Sequence, residues 1–282
     1  MTTSLFQKRK LLIATKHGKE EVIAPLLEKA LGVQCIVNED FDTDTLGTFS
    51  GEVERELDPV SNARKKCLMA MHHSNCDLGV ASEGSFGQHP SLFFANANDE
   101  FLIFIDKKNK LEIIARELSL ETNFSGEEVS SLKELLDFCE RVKFPSHAVI
   151  LRQSKTDTLQ LVKGITGKAQ LEGVFHRLHK TSKSVYAETD MRAMYNPTRM
   201  KVIQIAAQKL VDYIHSVCPH CQTPGFVVSK VKSGLTCILC GSATKSTLSH
   251  IYECQHCHFN KEVVHPHGKS SEDPMYCDYC NP

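Results

Sequence analysis

The sequence predicts an α/β protein, with a three-layer body around a mixed central sheet and a small C-terminal zinc-ribbon module. In its N-terminal third, short apolar strands alternate with amphipathic helices, which is typical of α/β sheets. After residue 217, eight of the twelve cysteines form four Cys-x-x-Cys pairs, which is metal-ligand spacing. A chain of 282 residues can hold one full core and a smaller module. We therefore expect a body over residues 1–217 and, over residues 218–282, a module with two zinc sites of four cysteines each.

The composition points to no nucleic-acid or membrane partner. The chain is 41% hydrophobic and 24% charged, with a net charge of −1. The basic N-terminus is followed by an apolar run too short for a signal-peptide core, and no run approaches the roughly 18 residues of a membrane helix. We expect a cytoplasmic protein with no membrane partner. The cysteines outside the tail lie among apolar neighbours, which predicts buried thiols: Cys35, Cys67, Cys76 and Cys139.

The first predicted elements are a strand, a loop, a helix and a second strand. Lys10–Thr15 is apolar enough for a buried strand, Glu20–Leu31 has the apolar spacing of a helix, and Val33–Val37 is again a strand. The loop lacks the Gly-x4-Gly-Lys-Ser/Thr string of a P-loop. It nevertheless carries three polar side chains to the end of the first strand, where they could hold phosphate: Thr15, Lys16 and Lys19.

Residues 39–58 form a strongly acidic stretch, with eight carboxylates against one arginine. Such a stretch repels itself unless it is solvated, paired or holding a cation. A solvated face is the plainer interpretation, but small residues interrupt the charges and favour a shaped loop. Asp42 and Asp44 are therefore candidate magnesium ligands. Asp58-Pro59 then predicts the start of the next helix.

Asp77–Ser82 predicts a central strand that ends in Glu83 and a glycine-containing loop. A carboxylate at the C-terminal end of a strand lies where open α/β sheets bind their ligands, so Glu83 is a candidate for catalysis and for magnesium binding. The alternative is a hairpin turn with an exposed glutamate. Further strands are predicted at Leu92–Ala95 and Phe101–Asp106, and Leu111–Ser119 is predicted to return as a hairpin partner.

Residues 120–185 resemble an insert in the body. Ser125–Glu128 has capping-box spacing and predicts a helix that ends near Arg141. Residues 163–183 are basic, which fits phosphate binding through lysines and a bridging Mg²⁺ and fits equally well a salt-bridge surface for the acidic stretch. Three more elements are predicted here: strands at His147–Leu151 and Thr158–Val162 and a helix at Ala169–His179.

Residues 188–200 join the two predicted parts and are rich in charge. Asn196-Pro197 is a strong helix start, because Asn accepts from unpaired N–H groups and Pro needs no donor at the first position. A helix N-terminus is a usual place to hold an anion, and this one is surrounded by charged residues. Arg192, Asn196 and Arg199 are therefore candidates for phosphate or substrate contacts. The plainer interpretation is a surface cap whose charges pair with each other.

The cysteine-rich tail carries the strongest signal in the sequence. A two-residue gap lets one turn direct both thiolates at one ion, and two such turns complete the tetrahedral shell of structural Zn²⁺. Eight thiolates make two closed sites, so catalysis at zinc is not expected. Sequential pairing would give tandem zinc ribbons, and the spacing leaves interleaved pairing open. The expected ligands are Cys218, Cys221, Cys237, Cys240, Cys254, Cys257, Cys277 and Cys280.

The charge of the tail argues against phosphate-backbone binding. Residues 216–282 hold five lysines, no arginine and five acids, and each zinc site with four thiolates adds about −2. A surface for nucleic acid must be positive, so non-specific DNA binding is not expected. The better expectations for the tail are folding stability, contact with a protein partner or a lid over the body.

The opening LLIATKHGKEEVIAPLL resembles the first strand, phosphate loop and helix of the house-cleaning nucleoside triphosphate pyrophosphatases, the inosine/xanthosine triphosphatase group. The helix with Asn62-Ala63-Arg64 and the strand CDLGVASEG are similar to that group's substrate helix and metal-binding strand. Asn196–Met200 occupies the place of the group's late basic helix. Residues 120–185 and the tail have no counterpart there. The tail and residues 188–200 also resemble a family of uncharacterised bacterial proteins, which implies no function.

This resemblance implies a Mg²⁺-dependent nucleotide phosphohydrolase, or a nucleotide-binding protein, with a structural zinc tail. Lys19 would hold phosphate, Glu83 would position Mg²⁺, and the two arginines would neutralise charge on the leaving group. The alternative is a non-catalytic zinc-ribbon adaptor that binds a protein or RNA partner. The substrate-binding residues implied are Thr15, Lys16, Lys19, Asn62, Arg64 and Asn196, and the catalytic ones are Glu83, Lys19, Arg192 and Arg199.

Overall fold

A computed structural model describes residues 5–38 and 57–282. The chain divides into two compact units, of which the first ends at Val211 and the second spans Asp212–Pro282. The sequence placed this boundary between residues 217 and 218. Asp42 and Asp44, the candidate magnesium ligands of the acidic stretch, lie outside the described residues.

The first unit contains a mixed five-stranded sheet with the order β2-β1-β3-β4-β5. β1 pairs in parallel with β2 and with β3, whereas β3, β4 and β5 form an antiparallel meander. This confirms the predicted mixed sheet. The strands are β1 (Lys10–Ala14), β2 (Gln34–Val37), β3 (Leu78–Gln88), β4 (Asn96–Asp106) and β5 (Leu111–Ser119).

Two helices make this sheet doubly wound. α1 (Glu20–Leu31) connects β1 to β2 on one side, and α2 (Pro59–His73) leads back past β1 to β3 on the other. Right-handed crossovers that run in opposite directions place their helices on opposite faces of a sheet. α2 packs closely, because Gly79 of β3 leaves no room for a Cβ beside the side chain of Met71. Because the connection from β1 to β2 and the connection from β2 to β3 run in opposite directions along the sheet, the strand order reverses between β1 and β3.

β3 is longer than the sequence predicted. Residues 83–87 continue the strand instead of forming a loop, because each of them pairs with β4. β1 stops at Ala14, so its ladder with β3 ends at Ala81. The predicted strand at Leu92–Ala95 is wrong: it lies in the β3–β4 hairpin loop, where His89 Nδ1 accepts from the backbone N–H of Leu92 at 3.1 Å.

The first unit also holds a four-stranded antiparallel sheet with the order β6-β9-β7-β8. The predicted capping box at Ser125–Glu128 is wrong, because Gly126–Val129 pairs with β9 as a strand. The helix is capped later, by Ser131, whose Oγ accepts from Glu134 N at 3.2 Å. The elements are β6 (Gly126–Val129), α3 (Leu132–Arg141), β7 (Val149–Arg152), β8 (Leu161–Ile165), α4 (Lys168–His179) and β9 (Val185–Thr189).

The last helix, α5 (Pro197–His215), begins in the first unit and ends in the second, and its start confirms the predicted cap. Asn196 Oδ1 accepts from the backbone N–H of Arg199 at 2.9 Å. The second unit is a three-stranded antiparallel meander of β10 (Val228–Ser233), β11 (Thr247–Glu253) and β12 (Asn260–Val264). None of the helices described is long and apolar enough to cross a membrane.

Candidate anion-binding site and metal centres

A cluster of five buried charged side chains lies beside the end of β1. Lys19 comes from the loop before α1, Lys66 from α2, Glu83 from β3, Glu100 from β4 and Arg199 from α5. The site therefore assembles at the C-terminal edge of β1, where β3 continues without its parallel neighbour. In doubly wound sheets this reversal point, at the carboxyl ends of the strands, is where ligands bind.

Four of these five charges are already paired. Lys66 Nζ forms a buried ion pair with Glu83 Oε1. Arg199 Nε donates to Glu100 Oε1 at 2.7 Å, and its Nη1 donates to the carbonyl of Met191. Gly84 makes room for this arrangement, since a Cβ there would lie 2.6 Å from Arg199 Nη2 and against the Glu100 carboxylate. Both carboxylates are therefore neutralised by a cation of the protein.

Lys19 is the cation left over. Its ammonium donates to Ser82 Oγ at 3.0 Å, and within the described residues it has no carboxylate partner. The pKa of Lys19 is lowered to about 7, chiefly by burial. Among the nearby charges, Arg199 and Lys66 lower this pKa and Glu100 and Glu83 raise it. A buried ammonium without a counter-ion is destabilised, so this position favours an incoming anion.

Two neutral side chains at the same edge are also incompletely bonded. Thr15 follows the last residue of β1, and its buried Oγ1 has no hydrogen-bond partner in the described part of the chain. Asn62 lies one helical turn before Lys66 on α2, and the same holds for its buried Nδ2. Buried polar atoms are nearly always hydrogen-bonded, so each unpaired atom needs an explanation. A polar ligand that reaches this edge would supply the missing partners.

The structure thus brings together Thr15, Lys19, Asn62, Glu83 and Arg199 of the residues predicted for the site. Sequence reasoning missed Lys66, Ser82 and Glu100, which complete the cluster. Lys66 follows Asn62 by four positions, and that helical spacing was the available signal. Glu100 had a weaker signal, a carboxylate directly before the apolar run of β4.

The other predicted contacts lie elsewhere. Lys16 is exposed. Arg64 forms an ion pair with Glu112 of β5 at 2.5 Å. The remaining two residues belong to the second sheet and its surroundings: Arg192 Nη2 binds Asp190 Oδ2 at 2.6 Å, and Asn196 Nδ2 donates to Asn123 Oδ1 at 2.8 Å.

The eight tail cysteines form two clusters whose sulfurs could each hold one metal ion. The first contains Cys218, Cys221, Cys254 and Cys257, and the second contains Cys237, Cys240, Cys277 and Cys280. Sulfur–sulfur distances between knuckles are 3.7 and 3.5 Å in the first cluster, and 3.8 and 3.7 Å in the second. Zinc–sulfur bonds of about 2.3 Å in a tetrahedron place the sulfurs about 3.8 Å apart, so both clusters fit zinc.

The pairing of the knuckles is interleaved, first with third and second with fourth, so of the two pairings that the spacing left open the structure has the one that does not form tandem ribbons. The antiparallel meander explains this. The first knuckle precedes β10 and the third follows β11, so both lie at one end of the sheet. The second and fourth follow β10 and β12 at the opposite end. A strand of six residues spans roughly 20 Å, too far for consecutive knuckles to share an ion.

The knuckles have the local geometry that metal-binding turns require. Backbone N–H groups of Leu239 and His256 lie 3.4 Å from the sulfurs of Cys237 and Cys254, where they stabilise thiolate charge. Gln222 and His258, which follow the second cysteine of a knuckle, have positive φ angles of 63° and 58°. The tail histidines belong to neither cluster.

One family model matches this chain, over residues 66–282, and its description is "Domain of unknown function (DUF6671)". The match begins within α2 and covers β3–β5, the four-stranded sheet and the whole cysteine-rich tail, whereas β1, β2 and the loop with Lys19 precede it. No curated protein matches the chain.

Proposed function

The chain belongs to the DUF6671 family, and from its own residues we propose that the α/β unit is a nucleotide-binding domain. The phosphates of the nucleotide would bind at the edge formed by Thr15, Lys19, Asn62 and Ser82. Phosphate binding was also expected from the sequence, but there it involved more residues.

The single observation that carries the proposal is the buried ammonium of Lys19. The cluster holds three cations and two carboxylates, and each carboxylate is paired with another cation. A bound phosphate would supply the missing counter-charge, and a charge-assisted hydrogen bond of this kind is worth about 1.5–3 kcal/mol. Thr15 Oγ1 and Asn62 Nδ2 would donate to further phosphate oxygens.

Magnesium-dependent hydrolysis is supported less well by the described residues. Mg²⁺ binds through one or two carboxylates together with substrate phosphates. Glu83 is the candidate carboxylate of the cluster, but Lys66 holds its Oε1. Arg199 is fully engaged with Glu100 and Met191, so it is held as part of the fold. We therefore propose phosphate binding and not hydrolysis. Hydrolysis is measured separately on the same variants.

The test is calorimetric titration of the full-length protein with pyrophosphate and a panel of nucleoside triphosphates, each with and without Mg²⁺. Lys19→Met removes the charge and keeps the length of the side chain, and should weaken binding by about tenfold or more. Lys29→Met is the matched control, since Lys29 lies on α1, the helix that Lys19 precedes, and is exposed. Release of phosphate or pyrophosphate is measured in parallel with Glu83→Gln.

Absence of binding by every compound in the panel would refute the proposal. Unchanged affinity in Lys19→Met would refute the assignment of the site, because any nucleotide would then bind elsewhere. Binding without turnover, with or without Mg²⁺, would establish a nucleotide-binding protein and exclude the hydrolase.

We further propose that both cysteine clusters hold Zn²⁺ in a structural role. Each cluster is a complete set of four thiolates with no open position, which is the ligand set of structural zinc. Thiolate clusters of this kind need a reducing compartment, which is the basis for proposing a cytoplasmic location.

A further inference from the structure

The two metal clusters of the tail differ in what their knuckles expose. In the second cluster, Ile238 and Leu239 lie between the first pair of cysteines, and each is 72% exposed. Tyr279, between the second pair, is 79% exposed. The turn before that pair adds two more exposed apolar side chains, Met275 and Tyr276. Single exposed apolar side chains are common on protein surfaces, but a contiguous group of large ones marks an interaction site.

The five exposed side chains of these two joined segments are called here the knuckle patch: Ile238, Leu239, Met275, Tyr276 and Tyr279. Their backbones are tied together at the metal cluster, where Cys240 Sγ lies 3.7 Å from Cys277 Sγ. The backbone N–H of Ile238 also donates to the carbonyl of Glu272 at 2.9 Å, which joins the two chain segments beside the patch.

Metal binding does not require this apolar surface, as the first cluster shows. Its knuckles have the same Cys-x-x-Cys spacing and the same N–H to sulfur contact, but they carry Pro219-His220 and Gln255-His256. His220 stacks on Phe259 of its own unit, with ring centroids 6.0 Å apart. The apolar residues of the second cluster therefore need a reason other than the fold of a knuckle.

The charges around the knuckle patch indicate the charge of the partner that would bind there. Two lysines lie nearby, and each is already paired with a carboxylate: Lys245 with Asp278 at 2.7 Å, and Lys269 with Glu272. In the described part of the tail, Asp273 has no lysine partner, and its side chain caps Met275 N. Four thiolates around a divalent ion add about −2. This end of the tail is therefore net negative.

We propose that the knuckle patch is a docking surface for a partner protein segment whose apolar side chains are flanked by lysine or arginine. Apolar contact supplies the affinity, and the negative surroundings select a basic partner. A second copy of this chain would bring like charges together. Nucleic acid and anionic lipid would be repelled by the same charges.

Three labelled synthetic peptides test the proposal by fluorescence anisotropy with the full-length zinc-loaded protein. They share one pattern of leucines and carry lysine, glutamine or glutamate at the polar positions. The lysine peptide should bind at least tenfold more tightly than the glutamate peptide. Ile238→Ser combined with Tyr279→Ser should weaken that binding about tenfold or more, because truncated apolar contacts at the centre of an interface are the costly ones.

The matched control is Val231→Ser combined with Val264→Ser, which removes two exposed valines of the same unit outside the patch. Its affinity should stay within twofold of the original. Zinc content, measured by native mass spectrometry, reports whether each variant keeps its fold. If the double knuckle variant loses zinc, the single variant Leu239→Gln replaces it.

Three results would overturn the proposal. One is equal binding of the lysine and glutamate peptides. Another is an equal loss of binding in the valine control, which would indicate general adhesion. The third is self-association in sedimentation velocity that the knuckle variant abolishes, since a second copy of the chain would then be the occupant.

Discussion

The two units of this chain reach stability by different means. In the first unit, strand β4 is buried along most of its length, and most of the charges inside, such as Glu100 and Arg199, form ion pairs. In the second unit, every residue of β10 is exposed. The tail's buried apolar side chains are few, and cysteines take much of the space of a core: Phe226 and Leu235, with Cys218, Cys237, Cys254 and Cys277.

This difference follows from the size of each unit. A unit of about 70 residues buries too little apolar surface to offset its conformational entropy, and structural metals commonly close that gap. The first unit is about three times larger and buries many more apolar side chains in the residues that the structure describes. We therefore expect that removing one partner of a buried interaction destabilises only the unit that contains it. The loss of stability should be larger in the tail than in the first unit.

Metal removal should produce the largest effect, and only in the tail. Structural zinc contributes about 10–16 kcal/mol to the folding of small zinc domains, far more than any single ion pair. A strong chelator, or Cys254→Ser, should therefore raise the hydrogen exchange of β10–β12 to rates near those of an unfolded chain. Exchange in β3–β5 should not change. Mass spectrometry of peptic fragments from the full-length protein measures both regions at once.

Cys35→Ser provides the control for this experiment, because Cys35 is a half-buried thiol of β2 outside both clusters. It should leave the tail protected. Loss of protection in β3–β5 on chelation would show that the first unit also depends on the metal, and the contrast between the units would fail.

Loss of one buried charge should have the second-largest effect, and only in the first unit. Glu100 and Arg199 are both fully buried as a pair. Glu100→Gln leaves the guanidinium without a counter-charge, and breaking a buried pair in this way costs about 3–5 kcal/mol. Urea denaturation followed by far-UV circular dichroism should show this loss as a lower midpoint.

The exposed pair of Arg64 and Glu112 supplies the comparison. Its side chains are about one-third exposed, so Glu112→Gln should cost less than about 1 kcal/mol. Equal destabilisation by the two glutamine variants would mean that burial does not govern these pairs, contrary to the interpretation of the cluster.

The sequence predicted those parts of the fold that local patterns determine. The apolar spacing of Glu20–Leu31 gave α1 with the observed bounds, and Asn196-Pro197 gave the start of α5. The cysteine spacing identified all eight members of the two clusters that could hold metal ions. In each case neighbours within a few positions contain the information. The mixed sheet followed from the order of such elements.

The remaining features depend on long-range contacts. Glu83–Gly87 resembles a loop in sequence, and only its partner strand β4 makes it β-structure. Glu100 and Arg199 are 99 positions apart, and no local signal connects them. The interleaved metal pairing follows from the strands of the tail, whose exposed residues give a weak apolar pattern. Had the meander been predicted, the pairing would have followed.

The smallest expected effect is a pH dependence of stability that comes from Lys19. It distinguishes this buried lysine from the ion pairs around it. The pKa of Lys19 is about 7 in the folded chain and about 10.5 when it is solvated. Between these values the unfolded chain holds a proton that the folded chain has released, so the stability of the folded chain rises with pH. The slope is at most about 1.4 kcal/mol per pH unit for one proton. Below pH 7 both states are protonated and the contribution is constant.

Urea denaturation of the original protein and of Lys19→Met at pH 6, 7, 8 and 9 isolates this slope, because the difference between the two curves cancels the other titrating groups. At pH 6 the free energy of unfolding should be larger for Lys19→Met than for the original protein. This difference should shrink steadily above pH 7. Saturating pyrophosphate should move the onset to higher pH, since a bound anion stabilises the ammonium and raises its pKa. Parallel curves would show that Lys19 keeps its proton in the folded chain, with a counter-charge already in place. The case for an anion at this edge would then lose its main support.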